Sequence, residues 1–246
     1  MSAFFVQGTH ETGDVVALEG SDAHKIVSVL RKRDGDDIEI VDSAAQRFIA
    51  TVAIDGRSVR ATLRERTASA AASALQVTVA QGVPKGQKMD FVVEKLTELG
   101  AVEIIPLQSE RTVVTDVSEN KVERWRRLAK TAAQQCGRND VTRIAQPQSF
   151  HDVCASFARY DLVLFPWELA DRAPLRERLP QLVRGIKNAL VVIGPEGGFS
   201  HQEADAARSA GAELVSLGSR ILRTETAAMV VLSLLNYLTE SAAPRV

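Results

Sequence analysis

The chain has 246 residues, 45% of them hydrophobic and 25% charged, with a formal net charge of −1; this is the make-up of a soluble globular protein, long enough for one large domain or two unequal ones. Its two cysteines and four scattered histidines give neither a disulfide framework nor metal-ligand spacing, so a reduced, metal-free protein is expected. The near-zero charge excludes a blanket nucleic-acid binder: segments 1–70, 81–143 and 144–246 carry −2, +2 and −1, so any RNA contact must use local patches.

The opening stretch MSAFFVQGTHETGD lacks the basic and then apolar regions of a secretory signal, and a cytoplasmic protein is expected. The first 66 residues read as β-rich. Asp37–Asp42, Arg47–Ile54 and Ser58–Glu65 alternate apolar and polar residues, with turn signals at 33–36 and 55–56 between them. Ile26, Val27 and Leu30 at helical spacing predict a short helix over 21–30. The pattern suggests a small barrel. Arg31-Lys32-Arg33 is its basic cluster, which solvated surface charge explains as well as RNA contact does. Thr67–Ala74, TASAAASA, is small, uncharged and aperiodic, a linker candidate.

From Leu75 strands and helices alternate. LQVTVAQG reads as a strand and KMDFVVEKLTELG as an amphipathic helix. VEIIPL is the next strand, Ser118 caps a helix reaching Gly137, and DLVLF, ALVVIG and ELVSLG are further strands. Strands such as ALVVI are apolar throughout, as in a parallel sheet covered on both faces. A small β-barrel joined to an α/β domain is expected.

Two loops carry the chemical signal. IGPEGGFSHQEAD, 193–205, follows a buried strand, and Ser200 with Glu203 forms a capping box that starts a helix at about His201. Its glycines match neither the dinucleotide fingerprint nor a phosphate-binding P-loop, and Pro195 removes an amide such a cradle would use. A structural turn and a ligand crevice at the end of an α/β strand both fit this loop. LGSRILRTETA, 217–227, places Gly218, Arg220, Arg223 and Glu225 before a long apolar helix, which Thr224 or Thr226 can cap. Two such loops could converge on one pocket, better suited to a neutral or cationic ligand with an adenine ring than to a polyphosphate.

Together these motifs resemble the signature pair of the SPOUT (trefoil-knot) methyltransferases, and more narrowly the bacterial 16S ribosomal RNA uridine-N3 methyltransferases. The resemblance extends to residues 84–114, to AAQQCGR at 132–138 and to HKIVSVLRKRDGDDIEIVD in the PUA-like N-terminal part, which together cover nearly the whole chain. It implies a knotted α/β domain with a mostly parallel sheet at 71–246 and a PUA-like β-barrel for RNA binding at 1–70. It implies S-adenosyl-L-methionine as cofactor, without metal, 16S rRNA of the small ribosomal subunit as substrate, and a homodimer whose interface includes the last helix. Carried over by position, the cofactor would meet Leu164, Pro166 and Glu168 at one strand end. It would meet Gly194, Glu196, Gly197 and Gly198 in the first loop. In the second loop it would meet Leu217, Gly218, Ile221, Leu222 and Arg223, followed by Thr226 and Ala227.

Uracil N3 carries a proton, so methylating it needs a base or a cation that stabilises the imide anion. Glu225 and Glu196 are candidate bases, Arg223 and Arg138 candidate stabilisers or phosphate clamps; a first-turn acid and ion-paired arginines explain the same residues structurally. RNA would meet Lys25, Arg31 and Arg33 on one side, and Lys85, Lys88, Lys95 and Arg111 on the other. Rival readings are a knotted enzyme acting on transfer RNA or another ribosomal position, a nucleotide-dependent enzyme, which the missing phosphate motifs disfavour, and a non-catalytic RNA-binding module.

Overall fold

The computed structural model describes residues 3–56, 58–67, 75–114, 116–170 and 175–239. The chain divides into two compact units, 1–71 with 133–141 and 72–132 with 142–246.

The first unit holds β1 (Ala3–Phe5), β2 (Val15–Leu18), α1 (Gly20–His24) running into a π-helical turn at Lys25–Val29, β3 (Asp37–Val41), β4 (Arg47–Asp55) and β5 (Ser58–Thr67). They form a five-stranded sheet in the order β1-β3-β4-β5-β2, parallel between β1 and β3 and antiparallel elsewhere. The alternation read from the sequence sorts the faces: Phe48, Ala50 and Val52 of β4 and Val59, Ala61 and Leu63 of β5 are buried with Phe4, Ile26, Ile38 and Ile40. β1 and β2, of three and four residues, are too short to show a period. Of the expected linker, Thr67 ends β5 and residues 68–74 lie outside the described residues.

Segment 133–141 groups with this unit through Arg47, whose guanidinium donates to Glu39 Oε2 at 2.6 Å, Asn139 Oδ1 at 2.7 Å and the Gly137 carbonyl at 2.7 Å. The planar fork reaches a carboxylate and loop backbone at once, a geometry lysine cannot reproduce.

The second unit alternates β6 (Gln76–Gly82), α2 (Lys88–Glu98), β7 (Glu103–Gln108), α3 (Glu119–Cys136, whose last residues belong to the first unit), β8 (Arg143–Ile144), β9 (Gln148–Ser149), α4 (Phe150–Ala155), β10 (Leu162–Pro166), α5 (Leu175–Leu182), β11 (Asn188–Ile193), α6 (His201–Ser209), β12 (Glu213–Val215) and α7 (Thr224–Thr239). The sheet runs β12-β10-β11-β6-β7-β8 with β9 also on β7, and every pair is parallel. Residues 189–193 of β11 are all at most 2% exposed, the signature of a strand covered on both faces.

The topology reverses direction at the centre. From β6 the chain moves to β7, whereas β10, β11 and β12 lie on the opposite side. Carboxyl ends of parallel strands share one edge, and a crevice forms where the order reverses. After β12, at the far edge, the chain returns to the middle, where α7 packs on α2, β6 and β11. Among the described residues no helix is long and apolar enough to cross a membrane.

Candidate functional site

The two loops singled out in the sequence follow β11 and β12, so the parallel sheet delivers both to the same edge. There they face each other across a cleft of about 670 Å³ lined by Pro166, Glu168, residues 193–199, residues 221–225, Ala227 and Lys88. A smaller extension of about 150 Å³ continues between the ends of β10 and β12, past Trp167 and residues 216–220. The main cleft has the size of a small-molecule site.

The first wall is built by backbone close approach. Gly82, ending β6, lies so near the Gly194–Pro195 bond that a Cβ there would stand 2.3 Å from Pro195 N. Gly198, at φ +65°, leaves room where a Cβ would come within 2.9 Å of Glu168 Oε1. Ser200 and Glu203 form the expected capping box, starting α6 at His201. Glu203 is 7% exposed, and its second carboxylate oxygen accepts the Glu110 N–H at 2.8 Å. Arg111 donates to the Gly197 carbonyl at 3.0 Å.

The charged candidates separate. Glu196 Oε1 accepts from the Lys85 N–H at 3.0 Å and from Lys88 Nζ at 3.1 Å. Partial burial raises its pKa, but the Lys88 ammonium and the backbone N–H groups of Lys85 and of Glu196 itself outweigh that and hold the carboxyl below its usual range. Glu225 differs: it lines the cleft, and its Oε2 is buried with no hydrogen-bond partner among the described residues. A buried carboxylate oxygen left unpaired is costly, and such sites mark functional groups. Arg223 is exposed on the same lining.

The second loop brings Leu217, Gly218, Ile221, Leu222 and Ala227 to the lining. Two of the candidates lie off the lining. Leu164 is 0% exposed within β10, because a central parallel strand is covered on both faces; the chain reaches the cleft only at Pro166 and beyond. Thr226 is absent from the lining: α7 begins at Thr224, and a residue two places on is turned about 200° around the helix. The Thr224 hydroxyl donates to the Gly194 carbonyl at 2.5 Å, tying the start of α7 to the first wall.

The basic candidates are mostly engaged. Lys25 donates to Gln134 Oε1 at 2.9 Å and lies 5.7 Å from the Phe4 ring centroid. Arg138 pairs with Asp140 at 2.7 Å. Lys95 is held by Glu94 and Glu98, and hydrogen bonds to the two carboxylates push its pKa up to about 12. Arg31, at φ +54°, and Arg33 are exposed. Lys88 and Arg111 brace the first wall, so they shape the cleft directly. The sequence candidates leave out Phe199 and, behind the lining, Gln81. β6 also holds Gln76 and Thr78, so Gln81 carries no distinctive signal in the sequence.

The model of a family described as an RNA methyltransferase domain matches residues 71–236. A ribosomal RNA small subunit methyltransferase E of Bacillus subtilis is 31% identical over 252 residues, 98% of each chain. One from Synechocystis is 33% identical over 92% of this chain and 74% of its own. In structure, a ribosomal RNA small subunit methyltransferase E from Neisseria gonorrhoeae, bound to S-adenosyl methionine, superposes with a TM-score of 0.86 at 26% identity, covering 97% of this chain and 98% of that one.

Proposed function

The chain belongs to the ribosomal RNA small subunit methyltransferase E family, and from that premise we propose that it methylates N3 of a uridine in 16S ribosomal RNA, using S-adenosylmethionine. The residues fit that cofactor. The cleft is large enough, has apolar surface at Ile221, Leu222 and Pro166, and sets three carboxylates, Glu168, Glu196 and Glu225, against two cations, Lys88 and Arg223. An acidic excess suits a cationic ligand, and no P-loop competes for it. When bound, the cofactor supplies an electrophilic methyl group on a sulfonium.

The chain's own residues then divide the remaining work. Glu225 takes the N3 proton, a role for which its unpaired buried oxygen is available. Arg223 balances the charge left on the uracil imide. Glu196, already bonded and acidified by its partners, serves as a counter-charge and brace for the first wall. The observation that carries this reading is Glu225, the one candidate base on the lining with a free buried oxygen among the described residues.

The wider architecture follows the family resemblance. We read 71–246 as a trefoil-knotted catalytic and dimerising domain, and 1–70 as a PUA-like RNA-binding barrel. The return of the chain from edge strand β12 to the sheet centre, pinned at Thr224 and Gly194, supports the knot. Tyr237 and Leu238 stand exposed at the end of α7, which supports a homodimer through that helix. Methylation of a ribosomal particle places the work in the cytoplasm.

The test is single-turnover methylation of small-subunit RNA by the wild type and Glu225→Gln, with the product nucleoside identified by mass spectrometry. Loss of rate on the order of a hundredfold, with cofactor affinity kept, is expected. A wild-type rate in the folded variant removes Glu225 from the chemistry, and a product other than N3-methyluridine overturns the assigned position.

A further inference from the structure

Arg223 and Glu225 must sit in fixed places, and the residue between them is the one held. Thr224, 5% exposed, donates to the Gly194 carbonyl at 2.5 Å and accepts from Gln81 Nε2 at 2.7 Å. Gln81 is wholly buried at the end of β6, and the same amide nitrogen donates to the Gly82 carbonyl at 3.1 Å. Two oxygen partners fix how the amide is turned, since the reverse orientation would set Oε1 against the Gly82 carbonyl. An amide N–H can only donate. Thr224 must therefore accept from Gln81, and its own proton is directed to Gly194.

We infer that Gln81 is a positioning residue for the methylation site, acting through Thr224 to fix the start of α7 against the Gly194–Gly198 wall. This rests on the function proposed above. Gln81 is not part of the cleft lining, so it does not touch substrate. What it supplies is the direction of a hydrogen-bond chain that joins three separate chain segments: the end of β6, the turn after β11 and the first residue of α7. The flanking Arg223 and Glu225 inherit their places from it.

Direction is testable where mere packing is not. Gln81→Glu keeps the shape, but an ionised carboxylate accepts where the amide donated. The Thr224 proton then turns toward residue 81, and the Gly194 carbonyl loses its donor. A protonated carboxyl can donate again, and burial raises its titration range. Two readouts are compared with wild type at the same pH: calorimetric binding of S-adenosylmethionine, and hydrogen exchange of the free protein across 217–227. At about pH 9 the variant should bind on the order of tenfold more weakly and exchange faster, and at about pH 6 both should recover. Thr224→Val, which removes both bonds, should show the loss at every pH, and Thr224→Ser should recover most of it. Wild-type exchange and affinity in Gln81→Glu and Thr224→Val would overturn the inference, as would a pH-independent loss in Gln81→Glu. Failure of the wild type to bind S-adenosylmethionine would instead sink the functional reading, while exchange in the free protein would still judge the positioning.

Discussion

The two walls of the cleft are made differently. The Gly194–Ser200 wall is tied from several directions: by Thr224 to Gly194, by Lys85 and Lys88 to Glu196, by Arg111 to Gly197, and by Glu203 to Ser200 and Glu110. The opposite wall is anchored mainly at its ends. The Val215 and Ser216 carbonyls accept from Trp167 and Leu175, and the Arg223 carbonyl from Ala227. Between them the contacts among the described residues are a Ser216–Gly218 pair at 3.3 and 3.5 Å, while Gly218 to Ile221 are exposed and Ile221 is 88% so. Folding alone completes the first wall. The second has little buried surface to hold it, and such segments open at low cost; a ligand or a partner must supply the rest of its order.

The contrast breaks most severely where the first wall has no slack. Gly82→Ala would put a Cβ 2.3 Å from Pro195 N and 2.6 Å from Gly194 C, and backbone on both sides cannot step aside. A loss of ~3 kcal/mol or more is expected, at the upper end for overpacking, read as a fall in denaturant midpoint and a loss of S-adenosylmethionine binding. Gly198→Ala meets the end of the Glu168 side chain at 2.9 Å, which can move, and keeps mainly the penalty of φ +65°. About 1–2 kcal/mol is expected. If Gly82→Ala proves as mild as Gly198→Ala, the first wall is less rigid than its contacts imply.

What could be read without the structure follows the same line. The first wall announces itself through local chemistry: glycines at 194, 197 and 198, and a Ser-x-x-Glu box that fixes the start of α6. The partners that hold it come from distant segments, so Gln81 reads only as a polar residue in a strand and Arg111 only as a surface cation. Leu164 comes to the cleft only by position in the family resemblance, and in a strand buried on both faces the alternation of side chains carries no information about which residue reaches the edge. Thr226 also comes to it only by position in the family resemblance; the sequence leaves the helix start open between the two threonines, whereas in the structure the hydroxyl of Thr224 faces Gly194. Likewise Arg47 reads as an ordinary strand arginine, although it gathers the 137–139 loop into the first unit.

A smaller effect tests the charge that braces the first wall. Glu196 titrates below its ordinary 4.5 in the folded protein, because Lys88 and two backbone N–H groups outweigh partial burial. A carboxyl acidified by folding binds its proton more readily in the unfolded chain, so its stabilisation is complete above about pH 4.5 and is lost as pH falls through the folded value. Glu196→Gln should therefore lower stability slightly at neutral pH and converge with wild type as pH falls below about 4, which flattens the acid limb, measured by urea unfolding from about pH 3 to pH 7. Solvent screening at this partly exposed pair keeps the change small. An unchanged acid limb would mean that the Lys88 bridge contributes nothing to the wall.

Ile221→Ala probes the second wall, and on stability it should be the quietest substitution. A side chain 88% exposed has little packing to lose, so the unfolding free energy should stay within about 0.5 kcal/mol of wild type. Yet Ile221 lines both the main cleft and its extension, where a bound ligand would cover it. Affinity for S-adenosylmethionine should then fall by roughly 1–2 kcal/mol, or about five- to thirtyfold by calorimetry. A variant that loses stability instead would show the second wall already packed in the free protein. One that loses neither would show that the ligand leaves this residue in water, and the difference between the walls would then concern architecture and not binding.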